Sequence, residues 1–143
     1  MLAALALLAG CGGTARLTKT QYEQKVRLVY EDVRQAFRET NVSAARLPGR
    51  VEAAQQALRH AARELDETKP PEKVVEANHE LAEAMRGYAE ELDKLRQAAE
   101  AHDAKAVGEF NARLPQDEAV ERIAEAAEEI RQKGYDLGPI ATD

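Results

Sequence analysis

One cysteine, Cys11, stands in this chain of 143 residues, and the residues around it set it apart: an apolar run, Met1 to Ala9, and Gly10 precede it, and Gly12-Gly13-Thr14 follows. A thiolate is a good sulfur nucleophile, so this position can be alkylated where a serine hydroxyl would not serve. Few other residues offer chemistry. Glu76 and His79, three apart, put a carboxylate and an imidazole on one helix face, the spacing used in di-iron bundles. Such a site needs a second Glu-x-x-His, whereas His60 and His102 have Ala57 and Ala99 three positions earlier. Asn78 rather than His79 falls on the apolar stripe, so a surface histidine is expected, and Glu76 and His79 are only weak metal candidates. His60 and His102 could offer imidazoles to haem or zinc across a bundle. No Cys-x-x-Cys-His and no third or fourth ligand spacing accompanies them, and both are expected at solvated positions. Met85 reads as a core gap-filler. Asn78 either sets helix register through a buried hydrogen bond or lies in water near a helix end, and water is the expected place. Ser43, the only serine, sits in a loop without a catalytic motif, and no Gly-rich loop cradles phosphate, since Gly12-Gly13 belongs to a tether and Gly87 and Gly108 fall inside helices. No enzyme activity, metal or cofactor is expected.

Leu8-Ala9-Gly10-Cys11 resembles a bacterial lipobox, in which Leu, a small residue and Gly precede an obligatory Cys. The resemblance implies that the Cys11 thiol receives a diacylglyceryl group, that residues 1–10 are removed as a signal peptide, and that the mature chain begins at Cys11 with three acyl chains. At about 0.8 kcal/mol per buried methylene, more than one chain gives stable attachment. The apolar run is interrupted by Gly10, Gly12, Gly13 and Arg16, too soon for the roughly 20 residues of a membrane span but at the length of a signal-peptide core. No Lys or Arg precedes it, where export signals carry a basic region. A plain cleaved signal peptide and a cytosolic chain are the alternatives.

The remainder has the size of one domain. Aromatic residues make up 4%, charged residues 32%, and Trp is absent, a composition typical of long packed helices. The net charge of −6 is spread as interleaved Arg, Lys, Glu and Asp, without the basic stripe that nucleic acid requires. With its only cysteine assigned to lipid, the domain is expected to fold without disulfides.

Periodicity then defines the elements. After a tether at 11–17, Thr18 or Thr20 caps a first helix, with Glu23 completing a capping box from Thr20, and Tyr22, Val26, Val29, Val33 and Phe37 form its stripe. Asn41, Val42 and Ser43 break it. A second helix has Pro48 near its start and the small-residue stripe Val51, Ala54, Leu58, Ala61 and Leu65. Thr68-Lys69-Pro70-Pro71 must turn, with Pro71 in the first turn of a third helix. Its stripe, Val74, Asn78, Leu81, Met85, Tyr88, Leu92, Leu95, Ala99 and His102, keeps the 3.5-residue period of left-handed packing. Asp103 caps a fourth helix carrying Val107, Phe110 and Leu114, broken or kinked near Pro115, continuing through Val120, Ile123, Ala127 and Ile130 to a C-cap at Gly134. Glu90 with Lys94 and Glu129 with Lys133 are spaced for helical ion pairs. The expected fold is all-α, an up-down-up-down four-helix bundle over 18–138, with a tail at 139–143. The third stripe could alternatively form a dimer seam, which leaves the oligomeric state open.

From Pro70 onward the chain is similar to small secreted or lipid-anchored helical-bundle proteins of bacteria, through Pro70-Pro71 with His79 and Leu81 and through the closing Gly134-Tyr135-Asp136. That resemblance implies an exported bundle and no particular activity. Together these readings point to an exported protein anchored by lipid at the cell surface or the periplasmic face of a bacterial membrane. It would be an accessory or structural component that meets an envelope protein. The competing reading is a module that binds a small apolar ligand or a metal in a gap near Tyr88 and Met85.

Overall fold

Thr18 opens the first helix, α1 (Lys19–Phe37), and closes a capping box with Gln21: its hydroxyl accepts the Gln21 N–H, and the Gln21 side chain accepts the Thr18 N–H at 2.9 Å. The box expected from Thr20 and Glu23 does not form, because Thr20 already lies inside the helix that Thr18 caps, and Glu23 is buried and engaged elsewhere. The computed structural model describes residues 15–38 and 43–138. A 3₁₀ turn, Ala44–Arg46, leads into α2 (Leu47–Glu67), with Pro48 in its first turn. The prolines then stop the chain, and a second 3₁₀ turn, Glu72–Val74, precedes α3 (Val75–Glu100). Pro71 therefore stands before this turn and not in the first turn of α3.

Two helix ends share one device. Beyond α5 (Glu118–Gln132), Gly134 adopts φ 91°, its N–H reaching the Arg131 carbonyl and that of Tyr135 the Ile130 carbonyl. This is the Schellman arrangement. At the end of α3, His102 takes the same place at φ 56°, with its N–H on Ala99 and that of Asp103 on Ala98. The expected stripe therefore ends at Ala99: His102 is exposed in the turn. Asp103 caps α4 (Ala104–Arg113) by accepting the Ala106 N–H at 3.0 Å. At Pro115 the helix tightens into a 3₁₀ turn, Leu114–Gln116, and Asp117 recaps α5. Helices α4 and α5 form one fourth limb, bent by 28°.

The four limbs form an all-α, up-down-up-down bundle without strands among the described residues. Helix α2 packs along α3, α1 on α2, and α5 on α3. The second stripe is buried throughout, as are Val74 in the turn before α3 and Asn78, Leu81, Met85, Leu92, Leu95 and Ala99 of α3. The α3 stripe is thus spent inside the chain and not on a dimer seam. A single stripe understates α3: Ala77, Ala82, Ala84 and Ala89 are buried as well, so the helix is covered on two sides. At the distal end of α1, Phe37 is partly exposed yet stacks on Tyr88 with ring centroids 6.0 Å apart. Of the expected surface pairs, Glu129 and Lys133 meet, whereas Lys94 turns to Glu91 instead of Glu90, at 2.7 Å.

Burial decides the outcome of core truncations. Leu92 is buried and Ile123 only half-buried, so in urea unfolding Leu92→Ala is expected to cost about 2–5 kcal/mol and Ile123→Ala distinctly less. Gly87 and Gly108 lie inside helices, and an added Cβ meets nothing within 4 Å at either. Gly87→Ala and Gly108→Ala are each expected to stabilise by about 0.5–1 kcal/mol in the same assay.

Candidate functional site

Leu8 to Cys11, the residues that resemble a lipobox, lie outside the described residues, but the point where the following chain joins the bundle is defined. Leu17 donates its N–H to the Lys69 carbonyl at 2.8 Å, and the Arg16 guanidinium reaches the Pro70 carbonyl at 3.1 Å. Leu17 also packs against the core. The chain therefore enters the bundle at the α2–α3 corner, the end that also receives the C-terminus of α5.

The histidines are not brought together. His79 is exposed on the flank of α3, its ring 3.9 Å from Asp66, which is also bonded by Arg86. Glu76, one turn away, is exposed too. His60 borders a shallow groove of about 240 Å³ between α1 and α2, together with Lys25, Leu28, Asp32 and Glu64. His102 lies beyond the opposite end of α3. No group of three or more His, Cys, Asp or Glu among the described residues could hold a metal. Met85 is core, only 1% exposed. A second groove, at the bend of the fourth limb, is lined by Glu90, Glu91, Arg113, Asp117 and Arg122. No helix among the described residues is long and apolar enough to cross a membrane.

The polar groups inside the bundle are structural. Asn78 is buried, not in water: its amide donates to the Leu65 carbonyl at 2.9 Å and its oxygen accepts the Tyr22 hydroxyl at 3.1 Å. One side chain thus joins α1, α2 and α3 at a fixed height, the register role of a buried amide. Tyr22 also meets the edge of Tyr135, with centroids 5.6 Å apart. Glu23 accepts the Asp136 N–H at 2.8 Å and lies 3.7 Å from Lys19, so the segment after Gly134 is clasped onto α1. Gln55, buried on α2, donates to the Ala89 carbonyl at 2.9 Å. Sequence periodicity missed Glu23 and Gln55; the available signal was that each directly flanks a stripe residue, Tyr22 and Ala54.

Tyr30 is the exception. Its hydroxyl is buried and has no hydrogen-bond partner among the described residues. Burial raises the Tyr22 and Tyr30 phenols above the usual tyrosine range, and it pushes Tyr88 up to about 12. At the surface, the hydrogen bond from Lys25 holds the Glu64 carboxyl below its usual value, and the one from Arg96 does the same for Asp93. These are solvated ion pairs of small energetic weight. Comparison with protein-family models, with curated proteins and with solved structures finds no match.

The contrast between the two tyrosines is measurable in urea unfolding. Tyr22→Phe leaves the Asn78 oxygen without its donor and is expected to cost about 1–3 kcal/mol, whereas Tyr30→Phe removes an unpaired hydroxyl and is expected to be neutral or stabilising by up to about 1 kcal/mol. Alkali separates them from the carboxylates. The folded chain retains phenolic protons that the unfolded chain releases near pH 10, so stability is intact below that pH and falls as pH rises through it. Thermal melts between pH 8 and pH 11 are expected to show this decline, with a shallower slope for Tyr30→Phe.

Proposed function

We propose that this chain is an exported bacterial lipoprotein, held to the membrane by acyl chains on Cys11, whose bundle is a non-enzymatic interaction or structural module of the cell envelope. The observation that carries the reading is Leu8-Ala9-Gly10-Cys11 behind an apolar run, followed within a few residues by a helical domain. The thiol supplies the nucleophile that alkylation needs, and several acyl chains together give durable anchorage where one gives only reversible binding.

The interior supports an interaction role over a ligand-binding one. Leu58, Leu65, Leu81, Met85 and Ile130 are all at most 1% exposed, and Met85 itself fills the place where the competing ligand-binding reading needs an apolar gap. The α1–α2 groove, at about 240 Å³, falls short of the roughly 300 Å³ at which ligand sites begin. The groove at the bend is larger but bordered by charges of both signs, a setting that suits water better than an apolar ligand.

The test is intact mass and membrane fractionation of the full chain expressed in a bacterial host, beside Cys11→Ser. A lipid-sized mass increase on Cys11 and recovery with membranes, both lost in Cys11→Ser, is the expected result. An unmodified protein that stays soluble in both forms overturns the lipoprotein reading.

A further inference from the structure

The Arg16 and Leu17 bonds to the Pro70 and Lys69 carbonyls fasten the start of the domain to the α2–α3 corner. Only the chain between Cys11 and Arg16 separates that corner from the anchoring sulfur, and even fully extended it spans at most about 18 Å. The 26 residues of α3 rise about 39 Å from this corner to the far end. At the corner, Val75 is 40% exposed; the other two exposed large apolar side chains among the described residues, Leu28 and Phe37, lie on α1 away from it. Arg16, Lys69 and Lys73 stand beside Glu67, Glu72 and Glu76, all exposed, which leaves the corner without a dominant charge.

Resting on the lipid attachment of Cys11 proposed above, we propose that the corner from Lys69 to Glu76 is the lipid-facing surface of the bundle, and that the end joining α1 to α2 points away from the membrane. The tether's covalent reach holds the corner at the headgroups, where Val75 can withdraw from water. Because basic side chains and carboxylates balance there, the contact does not depend on anionic lipid.

Cys11 is the only cysteine, so in the lipidated chain a single introduced thiol can carry a fluorophore. Lys73→Cys and Ala45→Cys are both exposed positions, at the corner and at the opposite end. Each labelled full chain, first shown by mass to carry lipid on Cys11, is placed in phosphatidylcholine vesicles containing headgroup-nitroxide lipid, with and without phosphatidylglycerol. Loss of fluorescence at position 73, none at position 45, and no dependence on phosphatidylglycerol is the expected result. Equal quenching at both positions, quenching at neither, or quenching only with anionic lipid overturns the proposed surface. Absence of lipid on Cys11 shows at the mass stage and overturns the lipoprotein reading, and this proposal with it.

Discussion

The seam between α2 and α3 is the constraint on which the rest of this bundle depends. Buried alanines are frequent on both helices, Ala54, Ala61 and Ala62 on α2 and Ala77, Ala82, Ala84 and Ala89 on α3, and side chains this small let packed backbones approach closely. Close approach brings backbone carbonyls within reach of buried amides, so Gln55 meets the Ala89 carbonyl and Asn78 the Leu65 carbonyl. Those two bonds set one antiparallel register. Shifting either helix by a residue would bury polar groups without partners, at about 1–3 kcal/mol each. Larger side chains at the alanine positions would push the helices apart and break both bonds.

The outer limbs are held by different means. Helix α5 packs directly on the second buried side of α3, with Ala126, Ala127 and Ile130 inside. Helix α1 rests on α2 and is joined to the far limb through the segment after Gly134, where Tyr135 and Leu137 are buried, Tyr135 edges onto Tyr22, and Glu23 holds the Asp136 N–H. The left-handed turn at Gly134 makes this possible by sending the chain back across the end of the bundle. Tyr22 links the two systems, since its ring meets Tyr135 and its hydroxyl reaches Asn78 on the central seam.

This assembly gives the bundle two unlike ends. The α2–α3 corner receives the N-terminal segment, and the C-terminal clasp lies at the same end. The opposite end carries the left-handed His102 turn and the connection between α1 and α2. A lipid on Cys11 would place the first end at the membrane and present the second to the surroundings. The charged flanks between them, dominated by short-range pairs such as Arg96 with Asp93 and Glu100, keep the helix sides hydrated and contribute little energy.

Much of this was legible in the residues. Apolar spacing located the helices, because burial of one face forces a 3.6-residue pattern on any sequence that packs this way. Pro70-Pro71, Pro115 and Gly134 marked boundaries because their backbone restrictions are local, and the thiol and small residues of Leu8 to Cys11 carried the anchoring expectation unaided. Thr18 was distinguishable from Thr20 only once Glu23 was seen to be drawn inward, and His102 looked like one more stripe residue until the chain left the helix at Glu100. The burial of Asn78, the inward turn of Glu23 and Gln55, and the second covered side of α3 were decided by tertiary structure alone. Each depends on which neighbour lies opposite, and a polar side chain flanking a stripe meets either water or a buried carbonyl according to how closely two distant helices approach.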